Sequence, residues 1–244
     1  MVAVAGLGVV HVLPALSGVR PLRQRLLPDL AGVGRPDHVA LTFDDGPARA
    51  STPAVLRALD ELGWRATFFM LGEMVRADPG LAADVVDAGH EVAVHGDRHR
   101  SQLLRRPRAV AEDLGLAVDT IAEATGRVPV WFRPAYGTLS AGGVRAASDL
   151  GLRTVLWTAW GRDWRAEATP ETVVRDVRRH LGPGATVLLH DSDCASAPGA
   201  WRSAVGALPL LAGLFGATGL TVGPLGEHGV PAKRGRSPAF AQRL

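Results

Sequence analysis

The segment His38-Val39-Ala40-Leu41-Thr42-Phe43 is an apolar run that stops abruptly at Asp44-Asp45-Gly46-Pro47, and it decides how the rest of the chain is interpreted. A short apolar run followed by turn residues predicts a buried β-strand. Comparable runs recur along the chain. They predict further strands at residues 66–70, 91–95, 130–133, 154–157, 186–190 and 220–222.

Helical patterns lie between these strands. The longest has apolar side chains from Val110 to Ile121 at helical spacing, and Gly126 follows as a stop signal. Others are predicted near residues 51–62, 81–88, 143–150, 169–181 and 201–217. Seven alternations of strand and helix predict an α/β fold with about seven parallel strands, closed or nearly closed into a barrel. A doubly wound open sheet is the alternative, although no dinucleotide fingerprint or phosphate-binding loop supports it.

Composition limits the class of protein and the number of domains. With 244 residues, 47% of them hydrophobic and 21% charged, the chain is neither disordered, collagen-like nor a coiled coil. We expect one catalytic domain over residues 38–223. The formal net charge of +3 argues against a nucleic-acid partner. The single cysteine, Cys194, excludes an intramolecular disulfide.

The two ends of the chain differ from this domain. Residues 1–37 contain an apolar segment at 2–16, followed by a linker. That segment is shorter than the roughly 18 residues of a spanning helix and lacks a preceding positive charge. It is interpreted either as an export signal or membrane anchor, or as an element that packs on the domain. Residues 224–244 lack apolar periodicity and predict a flexible tail.

Polar side chains follow the predicted strands at their carboxyl ends. These side chains are Asp44, Asp45, His95, His99, Arg133, Asp163 and His190. In a β/α barrel the carboxyl ends form one face, on which catalytic groups gather. A purely structural role would scatter such residues over both ends, so the clustering favours an active site.

The residue types indicate metal-assisted hydrolysis. His95 and His99, with a carboxylate, are a common ligand set for a catalytic divalent metal. Two surface histidines on a loop, or a plain turn at Asp44-Asp45, are the alternatives for each motif alone. A second carboxylate can accept the proton of a water molecule, and His190 can protonate a leaving group. Taken alone, His190 is also compatible with a core histidine.

Five motifs, in this order, resemble the motif series of the polysaccharide deacetylase family of metal-dependent carbohydrate esterases. The motifs are Thr42-Phe43-Asp44-Asp45-Gly46-Pro47, His95 to His99, Arg133-Pro134-Ala135-Tyr136-Gly137, Asp163-Trp164 and Leu188-Leu189-His190. The resemblance spans about residues 39–191 and implies a distorted (β/α) barrel.

The resemblance also implies a role for each matching residue. The metal, usually zinc but with cobalt or another divalent ion as alternatives, would be bound by Asp45, His95 and His99. Asp44 would be the general base, oriented by Arg133. The Tyr136 backbone N–H would stabilise the oxyanion, and His190, tuned by Asp163, would protonate the departing amine. The acetyl pocket would be walled by Trp164 and Leu188.

The resulting prediction is a metal-dependent hydrolase that removes N-acetyl groups from a glycan of the chitooligosaccharide or peptidoglycan type. Alternatives are an O-acetyl esterase, a small-molecule deacylase, or a glycan-binding pseudoenzyme without turnover. A cell-envelope or extracellular location is favoured over the cytoplasm. The sequence does not indicate whether the protein is a monomer or an oligomer.

One position departs from the family pattern. The family usually has Ser or Thr directly after the first histidine, whereas this chain has Gly96. The hydroxyl that would brace the loop from His95 to His99 is therefore missing. On this basis a Gly96→Ser substitution is expected to tighten metal binding.

Overall fold

The computed structural model describes residues 20–231. The apolar segment 2–16 and the last residues of the predicted tail lie outside these described residues. Within the described range, no helix has both the length and the apolar character needed to cross a bilayer. The strands are β1 (His38–Asp44), β2 (Thr67–Leu71), β3 (Glu91–Gly96), β4 (Trp131–Phe132), β5 (Arg153–Thr154), β6 (Ala159–Trp160), β7 (Thr186–His190) and β8 (Thr221–Gly223).

The strands form one parallel sheet that curls into a half-barrel. Their order is β5-β4-β3-β2-β1-β7-β6, and β8 pairs with the first residues of β1. The predicted α/β fold with a distorted parallel barrel is therefore confirmed. The strand predicted at 154–157 is wrong in detail, because β5 ends at Thr154 and the chain enters the sheet again only at Ala159, on its opposite edge.

Nine α-helices are described between residues 20 and 231. They are α1 (Arg20–Leu26), α2 (Pro28–Ala31), α3 (Thr52–Glu61), α4 (Gly72–Ala77), α5 (Pro79–Asp87), α6 (Pro107–Thr125), α7 (Ala141–Asp149), α8 (Pro170–His180) and α9 (Trp201–Ala217). The six predicted helices are confirmed. Helix α6 ends at Gly126, whose φ of 65° is the left-handed conformation that glycine adopts at helix ends. Helices α1, α2 and α4 were not predicted.

Residues 20–37 are more than a linker, because they pack on the segment that connects the two edge strands. Leu156 donates its backbone N–H to Leu30 O at 2.8 Å, and the buried Arg23 donates to Trp157 O at 2.8 Å. Helices α1 and α2 therefore contact the connection between β5 and β6, the two edge strands of the sheet. We retain residues 38–223 as the proposed catalytic domain, with residues 20–37 packed on it.

The flexible tail predicted from residue 224 does not begin there. Leu225, His228 and Val230 are buried, and Leu225 and Val230 pack with core residues such as Trp131. Leu225 also donates its backbone N–H to Thr67 Oγ1 at 2.8 Å. The short segment lacks the periodicity of a helix or strand, so its apolar residues gave no signal in the sequence.

Strand β1 separates the two layers of the core. Val39, Leu41 and Phe43 pack in the main apolar cluster, together with side chains of the surrounding helices. Because side chains alternate along a strand, Thr42 and Asp44 face the interior of the half-barrel instead. This inner face leads to the carboxyl end of the sheet, where the predicted site lies.

Acid is expected to destabilise the fold through two buried histidines remote from the site. Burial lowers the pKa of His90 and of His228 from 6.5 to about 4. Between pH 6.5 and 4 the unfolded chain binds protons that the folded chain does not. The free energy of unfolding should therefore fall as the pH drops through this range, by up to roughly 3 kcal/mol per histidine.

Urea unfolding at pH 7.5 and pH 4.5 measures this loss, and His90→Asn is the matched variant. His90 Nδ1 accepts a hydrogen bond from the Ala66 N–H at 3.2 Å, and an asparagine oxygen can replace it without titrating. The variant should lose less stability in acid than the wild type. An identical pH dependence would show that His90 does not contribute.

Candidate active site

A turn in the backbone brings the two neighbouring aspartates to one side. Asp44 ends β1 with its side chain inward, and a regular strand would send Asp45 outward. Instead Asp45 has a φ of 83°, which is uncommon for a residue other than glycine. Its carboxylate therefore faces the same interior as Asp44, next to His95.

The three predicted metal ligands meet in one cluster. The Nε2 atoms of His95 and His99 lie 3.3 and 3.4 Å from Asp45 Oδ1. The candidate ligand atoms of these three residues all lie within 4.8 Å of one another. Asp45 and His95 are buried, and His99 is partly buried. The cluster thus has the composition and the spacing of a site for a divalent cation.

The hydrogen bond made by His95 Nδ1 indicates that a cation fits between His95 Nε2 and Asp45. His95 Nδ1 lies 2.9 Å from Arg133 O, and because a carbonyl only accepts, Nδ1 must donate its hydrogen. In neutral His95 the lone pair of Nε2 then faces Asp45 Oδ1, which is buried and makes no hydrogen bond to the described residues. Two facing lone pairs require a cation between them, either a proton or a metal.

Charge in the cluster shifts its pKa values. Burial would raise the pKa of Asp45, but the close contact with His95 Nε2 and the charges of His190, His95 and His99 outweigh it and lower this pKa to about 2. Burial lowers the pKa of His99. For His95, burial opposes the charged imidazole, but the negative charges of Asp44 and Asp45 outweigh it and raise its pKa. Asp45 is thus an ionised carboxylate, the form that binds a metal, and a metal would displace the proton of His95.

Arg133, which directly follows β4, holds Asp44 in place across the interior of the half-barrel. Its guanidinium is fully buried and donates from Nη1 to Asp44 Oδ1 at 2.6 Å and to Thr42 Oγ1 at 2.8 Å. Nη2 donates to Leu156 O at 2.9 Å. The other carboxylate oxygen, Asp44 Oδ2, lies 3.9 Å from His95 Nε2. Asp44 is thus ion-paired on one side and borders the metal cluster on the other.

His190 and Asp163 form a second charged pair at the mouth of the site. Asp163 Oδ1 lies 3.0 Å from His190 Nδ1, and Asp163 Oδ2 accepts the His190 backbone N–H at 2.7 Å. Burial opposes the charged imidazole, but the negative charge of Asp163 outweighs it and raises the pKa of His190 to about 10. His190 is therefore a protonated group, which a core histidine would not be.

The remaining predicted residues surround this centre. Tyr136 has a φ of 59°, and its backbone N–H makes no hydrogen bond within the described part of the chain. Its ring packs edge-on against His99, with 4.4 Å between centroids. The Trp164 ring lies 5.6 Å from that of His190, and Leu188 is buried in an apolar cluster beneath. The predicted site residues thus lie at the carboxyl end of the sheet, except Leu188, which lies in the middle of β7.

The loop from His95 to His99 has a brace that does not use residue 96. Gly96 has a φ of 115°, a conformation that residues with a side chain rarely adopt. Asp113 Oδ2 accepts the Asp97 backbone N–H at 2.9 Å, and Arg105 pairs with Asp113 Oδ1 at 2.9 Å. Asp97 also pairs with Arg76 at 2.6 Å. The carboxylate of Asp113 on α6 thus supports the loop.

The expectation that Gly96→Ser tightens metal binding is therefore reversed. A Cβ at this position would lie 3.3 Å from Asp113 Oδ2 and would strain the backbone. We expect the variant to unfold more easily by about 1 kcal/mol and to bind zinc more weakly. Competition with a chromogenic chelator measures the affinity, and Gly115→Ser, at an open position on α6, is the control. Tighter binding by Gly96→Ser would restore the original expectation.

Sequence reasoning missed a buried carboxylate beside the site. Asp191 accepts a hydrogen bond from Thr52 Oγ1 at 2.6 Å, and Thr52 accepts the Ala48 N–H at 2.8 Å. Burial raises the pKa of Asp191 to about 7. A Cβ on Gly46 would collide with this carboxylate. Asp191 thus supports the turn that follows Asp45. In the sequence, only its position directly after His190 indicated that it lies near the site.

Comparison with known proteins gives a consistent result. The family model described as polysaccharide deacetylase matches residues 31–155, just over half of the chain. The peptidoglycan-N-acetylglucosamine deacetylase of Bacillus cereus is 36% identical over 155 residues, which cover 63% of this chain and 72% of that protein. The enzyme of the same name from Listeria monocytogenes is 32% identical over 154 residues, again 63% of this chain.

The matching proteins differ from this chain in length and, in one case, in described activity. The aligned region spans only about a third of the length of the Listeria protein, at 32%. Among solved structures, a CE4 family pseudoenzyme from Bacillus anthracis superposes with a TM-score of 0.73 at 27% sequence identity, covering 80% of this chain and 67% of that chain. The same fold therefore occurs in a protein described as a pseudoenzyme, so the fold by itself does not imply turnover.

Proposed function

Because this chain belongs to the polysaccharide deacetylase family, we propose that it is a metal-dependent hydrolase that removes N-acetyl groups from an N-acetylhexosamine glycan. One observation supports this proposal most directly. The Arg133-paired carboxylate of Asp44 borders the cluster of Asp45, His95 and His99, and a protonated His190 lies at the same end of the sheet. The names of the relatives favour a peptidoglycan or chitooligosaccharide substrate in the cell envelope or outside the cell.

The metal would be held by Asp45, His95 and His99, and we propose zinc because imidazole and carboxylate ligands suit it. When bound, a divalent cation supplies Lewis-acid polarisation of the acetyl carbonyl and a water molecule that ionises near neutral pH. With three ligands from the protein, such a cation would keep positions for water and substrate. The same three residues need no large movement to bind it, since their ligand atoms are already close.

Asp44 and His190 then perform the two proton transfers of the reaction. Asp44, held by Arg133, accepts the proton of the attacking water at its carboxylate. The Tyr136 N–H, which has no partner among residues 20–231, donates a hydrogen bond to the developing oxyanion. His190, protonated and oriented by Asp163, donates its proton to the departing nitrogen. Trp164 and Leu188 exclude water around the methyl group of the acetyl substituent.

An O-acetyl esterase on the same site is the alternative, and His190 distinguishes the two. An alkoxide leaves with less help than an amine, so His190→Asn should lower kcat on an N-acetyl glycan by about 10²–10³-fold and on an acetyl ester by much less. Acetate release from both substrates measures this. Equal losses on amide and ester would count against His190 as the acid for amine departure.

Removal of the metal tests the proposal as a whole. Dialysis against a strong chelator should abolish acetate release from N-acetylglucosamine oligomers, and added zinc or cobalt should restore it. His228→Gln, at a buried histidine outside the cluster, is a control that should keep the metal requirement. Activity that is unaffected by chelation would overturn the metal mechanism.

A further inference from the structure

Three residues other than glycine have left-handed backbone in the described part of the chain. They are Asp45, Tyr136 and Arg162, with φ values of 83°, 59° and 53°. Such conformations are unfavourable for residues with a side chain and cluster at functional sites. The first two belong to the proposed active site. Arg162 has no role there, although Gly or Asn would fit its backbone better.

The Arg162 side chain is available for a ligand. It is half-buried, and its guanidinium carbon lies 5.0 Å from the centre of the Trp160 ring. Within residues 20–231 its side chain makes no ion pair and donates no hydrogen bond. Its neighbour Arg165, by contrast, pairs with Asp176 at 3.1 Å. Arg162 is thus a positioned cation whose donors face no acceptor of the residues that the structure describes.

A row of aromatic rings connects Arg162 to the reacting end of the site. The Trp160 ring lies 5.2 Å from that of Trp164, and the Trp164 ring lies 5.6 Å from that of His190. Trp160 is itself only partly buried. Two rings, those of Trp160 and Trp164, thus separate Arg162 from His190, so a group bound at Arg162 would lie outside the position of the reacting acetyl group.

We propose that Arg162, held against Trp160, binds a carboxylate of the glycan, so that the site selects an acidic glycan over a neutral chitooligosaccharide. This inference rests on the proposed function and specifies its substrate. The planar guanidinium fork matches a carboxylate with two parallel hydrogen bonds, and stacking on an aromatic ring fixes its orientation. In peptidoglycan such a carboxylate belongs either to the lactyl group of the muramic acid sugar or to the attached peptide.

Arg162→Asn tests the subsite, because asparagine tolerates the left-handed backbone and removes the charge. Three substrates of equal length are compared: a neutral N-acetylglucosamine oligomer, peptide-free peptidoglycan strands and peptide-bearing strands. We expect KM on the acidic strands to rise about tenfold, with kcat and all values on the neutral oligomer unchanged. Arg57→Gln, at an exposed position on α3, removes the same charge elsewhere and should change nothing.

The arms of this experiment separate the possible outcomes. An effect on peptide-free strands assigns the lactyl carboxylate, and an effect confined to peptide-bearing strands assigns the peptide. Equal change, or no change, on acidic and neutral substrates would overturn the subsite. If the wild type releases no acetate from any substrate, the proposed function fails. Calorimetric binding of the acidic strands then tests the subsite alone, and equal affinity of wild type and Arg162→Asn would refute it.

Discussion

Asp44→Asn is expected to lower kcat for acetate release by about 10²–10⁴-fold while leaving metal binding intact. Asparagine has nearly the same shape as aspartate, and its oxygen can still accept the hydrogen bond from Arg133 that now measures 2.6 Å. Its amide, however, cannot take the proton of the attacking water. The three proposed ligands Asp45, His95 and His99 are unchanged, so one equivalent of zinc should remain bound.

Metal analysis and acetate release on the same protein sample measure both parts of this prediction. Asp60→Asn, at an exposed position on α3, is the matched control and should keep wild-type kcat. A variant that lost its metal would indicate that Asp44 is itself a ligand. Wild-type turnover by Asp44→Asn would show that another group is the base.

Arg133→Met is expected to lower the free energy of unfolding by about 3–5 kcal/mol and to abolish activity. The guanidinium is fully buried, and its removal leaves the Asp44 carboxylate without the cation that balances it. Thr42 Oγ1 and Leu156 O also lose their donor. Urea denaturation at neutral pH measures the loss of stability.

The double variant Asp44→Asn with Arg133→Met separates charge from packing. If the unpaired carboxylate causes most of the instability, the double variant should be more stable than Arg133→Met alone, because it holds no unbalanced charge. Strictly additive losses would show that the ion pair contributes little. They would assign the cost of Arg133→Met to the cavity and the broken hydrogen bonds.

The sequence was sufficient to predict most of the architecture, for physical reasons that particular elements make clear. Strand β1 and helix α6 have strong apolar periodicity that matches their burial, so both were predicted. The segments that pack on the sheet before β1 and after β8 have no such pattern. Residues 20–31 and 224–230 bury single side chains such as Arg23, Leu225 and His228 through tertiary contacts that no local pattern encodes.

The site was predicted residue by residue, but its geometry was not. The motif order indicated that Asp44 and Asp45 lie together with the two histidines, and the left-handed backbone at Asp45 supplies the reason. The structure changes the expectation for Gly96, since its positive φ and the brace from Asp113 are three-dimensional facts. The sequence did not indicate a role for Arg162, because an arginine in a loop is common. Its left-handed backbone and the lack of an ion-pair partner among the described residues appear only in the structure.

The most direct test of the account is the stoichiometry of products formed by the zinc-loaded protein on an N-acetylglucosamine oligomer. Acetate and new primary amine groups are counted in the same reaction, with Asp44→Asn as the blank. We predict equal amounts of the two products from the wild type and almost none from the variant. A zinc-containing wild type that forms no amine from any N-acetylated glycan would contradict the account.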